Sequence, residues 1–193
     1  MMRGDTTFRI SFKVQLLYFS KSRSLLRNTD ICGDSTWHYY PIDNVCYKMF
    51  PDDPTQLKDQ WEAQAVCEFN GGCLVTIDSP GKQQFINYLL KTVYTYPPCS
   101  TAKNTQYCVW SSGNSTQLTG PWPPIETWQW NCPISPPTPL SATNFTNWGQ
   151  GEPNNLPDET AIMFNQPTTG KWNNFPPTGK MSYMCQKPSL NLG

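Results

Sequence analysis

The sequence predicts an α+β domain tied by disulfides, and three observations predict it. First, the elements are segregated: an aromatic hairpin, then two helical patterns, then short strands among long loops. That order belongs to α+β chains rather than to alternating α/β ones. Second, eight cysteines lie at 32, 46, 67, 73, 99, 108, 132 and 185, with no Cys-x-x-Cys pair and a single histidine, His38. Zinc sites need such ligands at short spacing, so a disulfide framework and an oxidising compartment are the better expectation. Third, hydrophobic residues are only 37% of the 193-residue chain while aromatics reach 13%, and large rings fill a core with few residues. The length suits one domain with tails.

The formal net charge is zero, so there is no general basic field and no nucleic-acid partner is expected. The charge is uneven: residues 1–30 carry +4, which leaves −4 on residues 31–193. A mildly acidic body suits cation binding. The stretch Phe8–Phe19 is apolar but interrupted by Arg9, Lys13 and Gln15. It is too short and too charged to span a bilayer, and it lacks the unbroken apolar run and small-residue cleavage site of an export signal. We read 1–30 as an atypical signal or an extension, 31–188 as the domain and 189–193 as a tail, with no membrane span. Two sequons, Asn114-Ser-Thr and Asn144-Phe-Thr, accord with a secreted, extracellular glycoprotein.

Trp37, Tyr39 and Tyr40 have strand propensity, and Ile42-Asp-Asn44 supplies a turn, so Cys32 to Tyr47 reads as a hairpin across which Cys32 and Cys46 could close. Asp59 with Glu62 three residues on is a capping-box pattern. The helix it opens carries Trp61 and Ala65 on one face and stops at Asn70-Gly71-Gly72, where glycine tolerates a left-handed cap. Leu74-Val-Thr-Ile77 reads as a strand. Ser79-Pro80 starts a second helix, whose Phe85, Ile86, Leu89, Leu90 and Val93 form one apolar face; Tyr96-Pro-Pro98 ends it. Beyond Cys99, Tyr107–Trp110, Thr127–Trp130, Ala161–Phe164 and Met181–Cys185 are strand candidates. Prolines from Pro121 to Pro139 punctuate a long irregular stretch of the kind that is often functional.

Residues 147–174 carry the chemistry. Asn147-Trp-Gly-Gln-Gly-Glu-Pro-Asn-Asn155 is followed by Asp158, Glu159 and Lys171-Trp-Asn-Asn174. Glu152, Asn154, Asp158, Glu159, Asn173 and Asn174 all offer hard oxygens, with no Cys or His among them, which suits Ca²⁺. A Ca²⁺ site with unfilled positions can take vicinal sugar hydroxyls. Trp128, Trp130, Trp148 and Trp172 are core candidates, and Trp122, among prolines, is the best exposed stacking candidate. No nucleophile motif surrounds any serine, and nothing supports Glu152 and Asp158 as a hydrolytic pair over metal ligation, so no enzyme is expected.

The series Cys32…Trp37…Cys46-Tyr47, Trp61-x-x-x-Ala65-x-Cys67, Gly72-x-Leu74-Val-x-Ile77, Trp128-x-Trp130, Asn147-Trp148, Glu152-Pro-Asn154, Trp172-Asn173 and Tyr183-Met-Cys185-x-Lys187-Pro188 resembles, in order, the C-type lectin-like domain. The resemblance implies two helices with small antiparallel sheets, a long Ca²⁺-binding loop region and chain ends that meet. It implies Cys32–Cys46 and Cys67–Cys185 as disulfides. The second closes a loop of over a hundred residues, worth roughly 4–5 kcal/mol on a chain-entropy account that is itself contested. The family's upper bridge, expected near Thr160 and Pro177, is missing. Cys73, Cys99, Cys108 and Cys132 remain, with three pairings open, of which Cys99–Cys108 is the shortest closure.

The resemblance also implies a cis bond at Glu152–Pro153 and a sugar site formed by Glu152, Asn154, Asp158, Asn173 and Asn174. Glu-Pro-Asn resembles the mannose type, for mannose, fucose or N-acetylglucosamine glycans, with Ca²⁺ as cofactor. The chain departs from the pattern in a short loop after Asn154, which leaves Asp158 and Glu159 as alternative ligands. It departs again where Trp-Asn-Asp reads Trp172-Asn173-Asn174. Two carboxylates in place of three predict weak Ca²⁺ binding, near the millimolar end of the extracellular range. The alternative is a Ca²⁺-independent module for a protein or other ligand. No heptad pattern shows how copies would cluster, and an oligomer is left open.

Overall fold

A computed structural model describes residues 28–51, 56–95, 97, 99, 107–116, 128–154, 156, 158–166 and 170–190. The expectations placed on Phe8–Phe19, Tyr96, Pro98, Pro121, Trp122, Pro123, Pro124 and Asn155 lie outside these. The described residues divide into two compact units, 28–46 with 189–190, and 47–188.

The first unit holds a short helix α1 (Asn28–Cys32) and strand β1 (His38–Tyr40), with Cys32 bridged to Cys46. The turn between β1 and Cys46 ends on Asn44, whose φ of 55° is left-handed and whose Oδ1 accepts from the Tyr39 hydroxyl at 2.6 Å. The two ends of the described domain do meet here: Ser189 N donates to Asn44 O at 2.9 Å and Leu190 N to Ile31 O at 2.7 Å.

In the second unit, helix α2 (Gln60–Phe69) starts on the capping box as read: Asp59 Oδ1 accepts from Glu62 N at 2.9 Å, and Glu62 Oε2 from Asp59 N at 3.3 Å. It ends in the Gly motif. Gly71, at φ 81°, donates to Glu68 O, and Gly72 donates to Cys67 O, which satisfies carbonyls the helix would otherwise leave open. The face carrying Trp61 and Ala65 is turned to solvent, and Gln60, Ala63 and Cys67 are buried instead. A buried glutamine is tolerated because Gln60 Nε2 donates to Ser111 O at 2.9 Å and Gly113 O at 3.1 Å.

Strand β3 (Cys73–Leu74) is shorter than Leu74–Ile77 suggests. Val75 stays buried without strand geometry, donating to Met184 O at 2.9 Å and accepting from Ser112 N at 2.9 Å. Helix α3 (Pro80–Tyr88) has Ser79 as N-cap, then passes into a π turn, Leu89–Val93. Phe85, Ile86, Leu89 and Leu90 are buried, whereas Val93 is exposed because the π turn rotates it off the apolar stripe.

The strands are β2 (Val45–Phe50), β4 (Val109–Ser115), β5 (Trp128–Trp130), β6 (Thr138–Pro139), β7 (Ala161–Gln166), β8 (Lys171–Phe175) and β9 (Ser182–Pro188), with a one-turn helix α4 (Leu140–Thr143) after β6. In this unit they run β2-β9-β4-β5-β6, with β3 on β9 and β7 joining β4 to β8. β4 and β9 pair in parallel through Val109–Ser182 and Trp110–Tyr183, an exception to the antiparallel expectation. A register shift between Trp110 and Asn114 lets β4 serve both β7 and β5. Of the four core candidates, Trp128, Trp130 and Trp172 are fully buried, as read, while Trp148 is half-buried; Trp110 is fully buried as well. Cys67 is bridged to Cys185, and the open pairings resolve as Cys73–Cys132 and Cys99–Cys108.

Candidate functional site

The loop 147–160 is held to β8 at its start. Trp172 N donates to Asn147 O at 2.9 Å, Gly149 N donates to Trp172 O at 2.8 Å, and Asn147 Nδ2 reaches Gly170 O at 3.2 Å. Trp172 is itself fixed by edge-to-face contacts with Trp130, Phe145 and Trp148, and its Nε1 donates to the buried Gln83 Oε1 at 2.7 Å. Glu152 N then donates to Gly149 O at 3.1 Å, closing a turn through Gly151, whose φ of 80° only glycine adopts freely. The Glu152–Pro153 bond is cis.

Four of the six candidate ligands meet. Asn154 N is shared between Glu152 Oε2 at 3.0 Å and Asn174 Oδ1 at 3.1 Å. Asn174 Nδ2 donates to Asn154 Oδ1 and to Glu159 O, both at 3.3 Å. The Asn154 side chain also bonds the Glu159 carboxyl. Asp158 and Asn173 are not bonded into this set. Asp158 is exposed, in left-handed backbone at φ 68°. Asn173 is buried, but neighbours in a strand point to opposite faces, and no hydrogen bond joins its side chain to the other candidates.

The electrostatics are those of a site short of positive charge. Burial pushes the Glu152 carboxyl up, opposed by the Asn154 N–H. Burial also pushes Glu159 up, and the Glu152 charge adds to it, opposed by the Asn154 side chain. Within the set of four, Glu159 Oε2 is buried without a hydrogen-bond partner. Orphaned buried acceptors are rare and call for an explanation. A hard cation would supply one, so the donor set fits Ca²⁺. Among the described residues, no group of three His, Cys, Asp or Glu side chains could hold a metal, so any ligation here leans on amide oxygens.

Asn174 has a double role that composition alone does not reveal. Both acceptor positions of Asn154 Oδ1 are occupied, by Leu156 N at 3.2 Å and by Asn174 Nδ2. One must be released before that oxygen can bind a metal. Sequence reasoning missed Gln83 as the anchor of Trp172; nothing in its neighbourhood signals it, because the contact spans 89 positions.

Paired helices, a chain closed by Cys67–Cys185 and an oxygen-rich loop pinned to the strand after it together define a C-type lectin-like domain. The lectin C-type domain model matches residues 56–187, and the chain belongs to that family. It is 26% identical over 181 residues to C-type lectin domain family 4 member A of Rattus norvegicus, covering 89% of this chain and 64% of that one. A C-type lectin mannose-binding isoform of Notechis scutatus scutatus is 28% identical over 171 residues, covering 84% and 88%. The C-type lectin domain of murine dendritic cell inhibitory receptor 2, solved in complex with N-glycan, superposes with a TM-score of 0.56 at 24% identity, covering 80% of this chain and 98% of that one. At that identity the likeness shows the fold. The chain spans between 54% and 64% of the length of several curated relatives it matches.

Proposed function

We propose that this domain is an extracellular binding module that recognises mannose-type glycans through Ca²⁺ at the Glu152 loop. The observation that carries this reading is the convergence of Glu152, Asn154, Glu159 and Asn174, with two carboxyls pushed up by burial and no cationic partner. These residues would hold the ion, joined by the exposed Asp158 after local adjustment. When bound, Ca²⁺ supplies direct coordination to two vicinal hydroxyls. Ionised Glu152 accepts from one hydroxyl, and Asn154 Nδ2 donates to its neighbour. That donor and acceptor order supports mannose, fucose or N-acetylglucosamine over galactose. The mannose-binding snake relative and the four disulfides support the sugar class and the compartment. Binding rather than catalysis accords with the family.

A second reading, a Ca²⁺-independent module for a protein ligand, rests on Asn174, whose amide already satisfies Asn154. A glycan array run in millimolar Ca²⁺ and again in chelator separates the two. The first reading expects mannose-type binding that chelator abolishes; binding that survives chelator, or no glycan binding at all, refutes it.

A further inference from the structure

A concavity of about 280 Å³ shares no residue with the Glu152 loop. Trp61, Gln64 and Glu68 of α2 form one wall, and Asn114 of β4 with Asn131 and Pro133 forms the other. Its size falls just below the range of drug-sized ligand sites, which suits a single sugar ring. Trp61 is 64% exposed, so its ring offers an uncovered apolar surface at the mouth. Amides and one carboxylate surround it, and no basic side chain lines it. An aromatic face among amides suits a pyranose, whose C–H face lies on a ring while its hydroxyl and acetamido groups meet amides.

The wall itself names the occupant. Asn114 opens the sequon Asn114-Ser115-Thr116. Its Nδ2 donates to Gln60 Oε1 at 2.7 Å, and Gln60 is held in turn by Ser111 O and Gly113 O. An amide nitrogen carries two hydrogens: Gln60 takes one, and an N-linked sugar replaces the other. The bond to Gln60 thus survives modification and fixes the plane from which the sugar leaves.

We infer that this concavity seats the chain's own N-linked glycan at Asn114, with its first N-acetylglucosamine against Trp61. Because the sugar is tethered, its effective concentration is high, and weak stacking is enough to hold it. The inference does not depend on sugar recognition at the Glu152 loop.

The test uses protein secreted from a eukaryotic cell. Mass spectrometry should find Asn114 modified, and oxidative footprinting should find Trp61 several-fold less reactive than in Thr116→Ala, which removes the sequon but keeps Asn114 and its bond to Gln60. Thr146→Ala, which removes only the Asn144 sequon, should leave Trp61 protected. On wild-type protein, trimming to the first N-acetylglucosamine should retain the protection, and complete enzymatic release should abolish it; this arm needs no variant to fold. An unmodified Asn114, or a Trp61 equally reactive with and without the glycan, overturns the inference. So does protection seen only when free N-acetylglucosamine is added, which would make the ligand external.

Discussion

Replacing Asn174 with Asp probes the candidate site most directly, because the structure predicts opposite effects with and without metal. Asn174 is fully buried, and its Nδ2 makes the bonds to Asn154 Oδ1 and Glu159 O. A carboxylate cannot donate, so Asn174→Asp sets acceptor against acceptor at both contacts and adds a charge beside Glu152 and Glu159. Leaving a buried polar group unsatisfied costs about 1–3 kcal/mol, more when it is charged. The metal-free variant should therefore lose about 2–4 kcal/mol, which at about 2–4 °C per kcal/mol for a chain of this size lowers Tm by roughly 5–15 °C. With Ca²⁺, a third carboxylate should tighten binding about 10–100-fold, or about 1.4–2.7 kcal/mol. At about 10 mM Ca²⁺, a wild-type Kd near ~1 mM gives about 1.4 kcal/mol of stabilisation, and the variant about 2.7–4.1 kcal/mol. Thermal scans in chelator and in Ca²⁺, with calorimetric titration, measure each quantity. A variant as stable as wild type in chelator, or one whose Ca²⁺ response is no larger, would refute the reasoning.

The exchange Glu152→Gln with Asn154→Asp reverses the donor and acceptor ends without changing net charge; it should abolish mannose-type binding on a glycan array, and an unchanged profile would remove these residues from the sugar site. Glu152 and Glu159 are raised in the folded protein, so the native state holds more protons above the ordinary carboxylate range; metal-free stability should fall as pH rises through the raised values, while Ca²⁺ affinity should weaken as pH falls through them. Burial works upward on Asp59, but the Glu62 N–H and Lys180 outweigh it; Glu62 is lowered first by Lys180. Both contribute stability that is present above the ordinary carboxylate range and lost as pH falls through the depressed values, so Lys180→Met should flatten the acid limb of denaturation below about pH 4. Gln83→Ala strands the Trp172 Nε1 and should cost about 1–3 kcal/mol in chemical denaturation, with glycan binding weakened alongside; unaltered stability would show that the contact carries no weight.

The helix boundaries were legible because capping is local: Asp59 with Glu62, Ser79-Pro80 and Gly71-Gly72 lie within a few positions of the backbone groups they satisfy. The outward face of α2 was not legible. Trp61 and Ala65 share a stripe, but Gln60 is buried because partners more than fifty positions away, Ser111 and Gly113, accept its amide. α4 was missed for a related reason: it is a single turn, with no period to read. β8 was legible only through its Trp-Asn motif. At the site, the oxygen ligands stood out as a run, yet their arrangement did not. The left-handed backbone at Asp158 leaves that side chain exposed while Glu159 joins Asn154 and Glu152, and sequence alone left those two neighbours as alternatives.

Trp172 gives the candidate site a particular freedom to vary. Its backbone clamps one end of the loop, its ring meets three other aromatics and its nitrogen reaches across to α3. None of those attachments involves residues 150–159. The tip of the loop can therefore exchange side chains, or change length, without disturbing the aromatic anchor, whereas a change at Trp172 would reach the loop and the helix at once. New ligand preferences have a cheap route through the tip and an expensive one through the anchor, which would confine functional divergence to about ten adjacent positions.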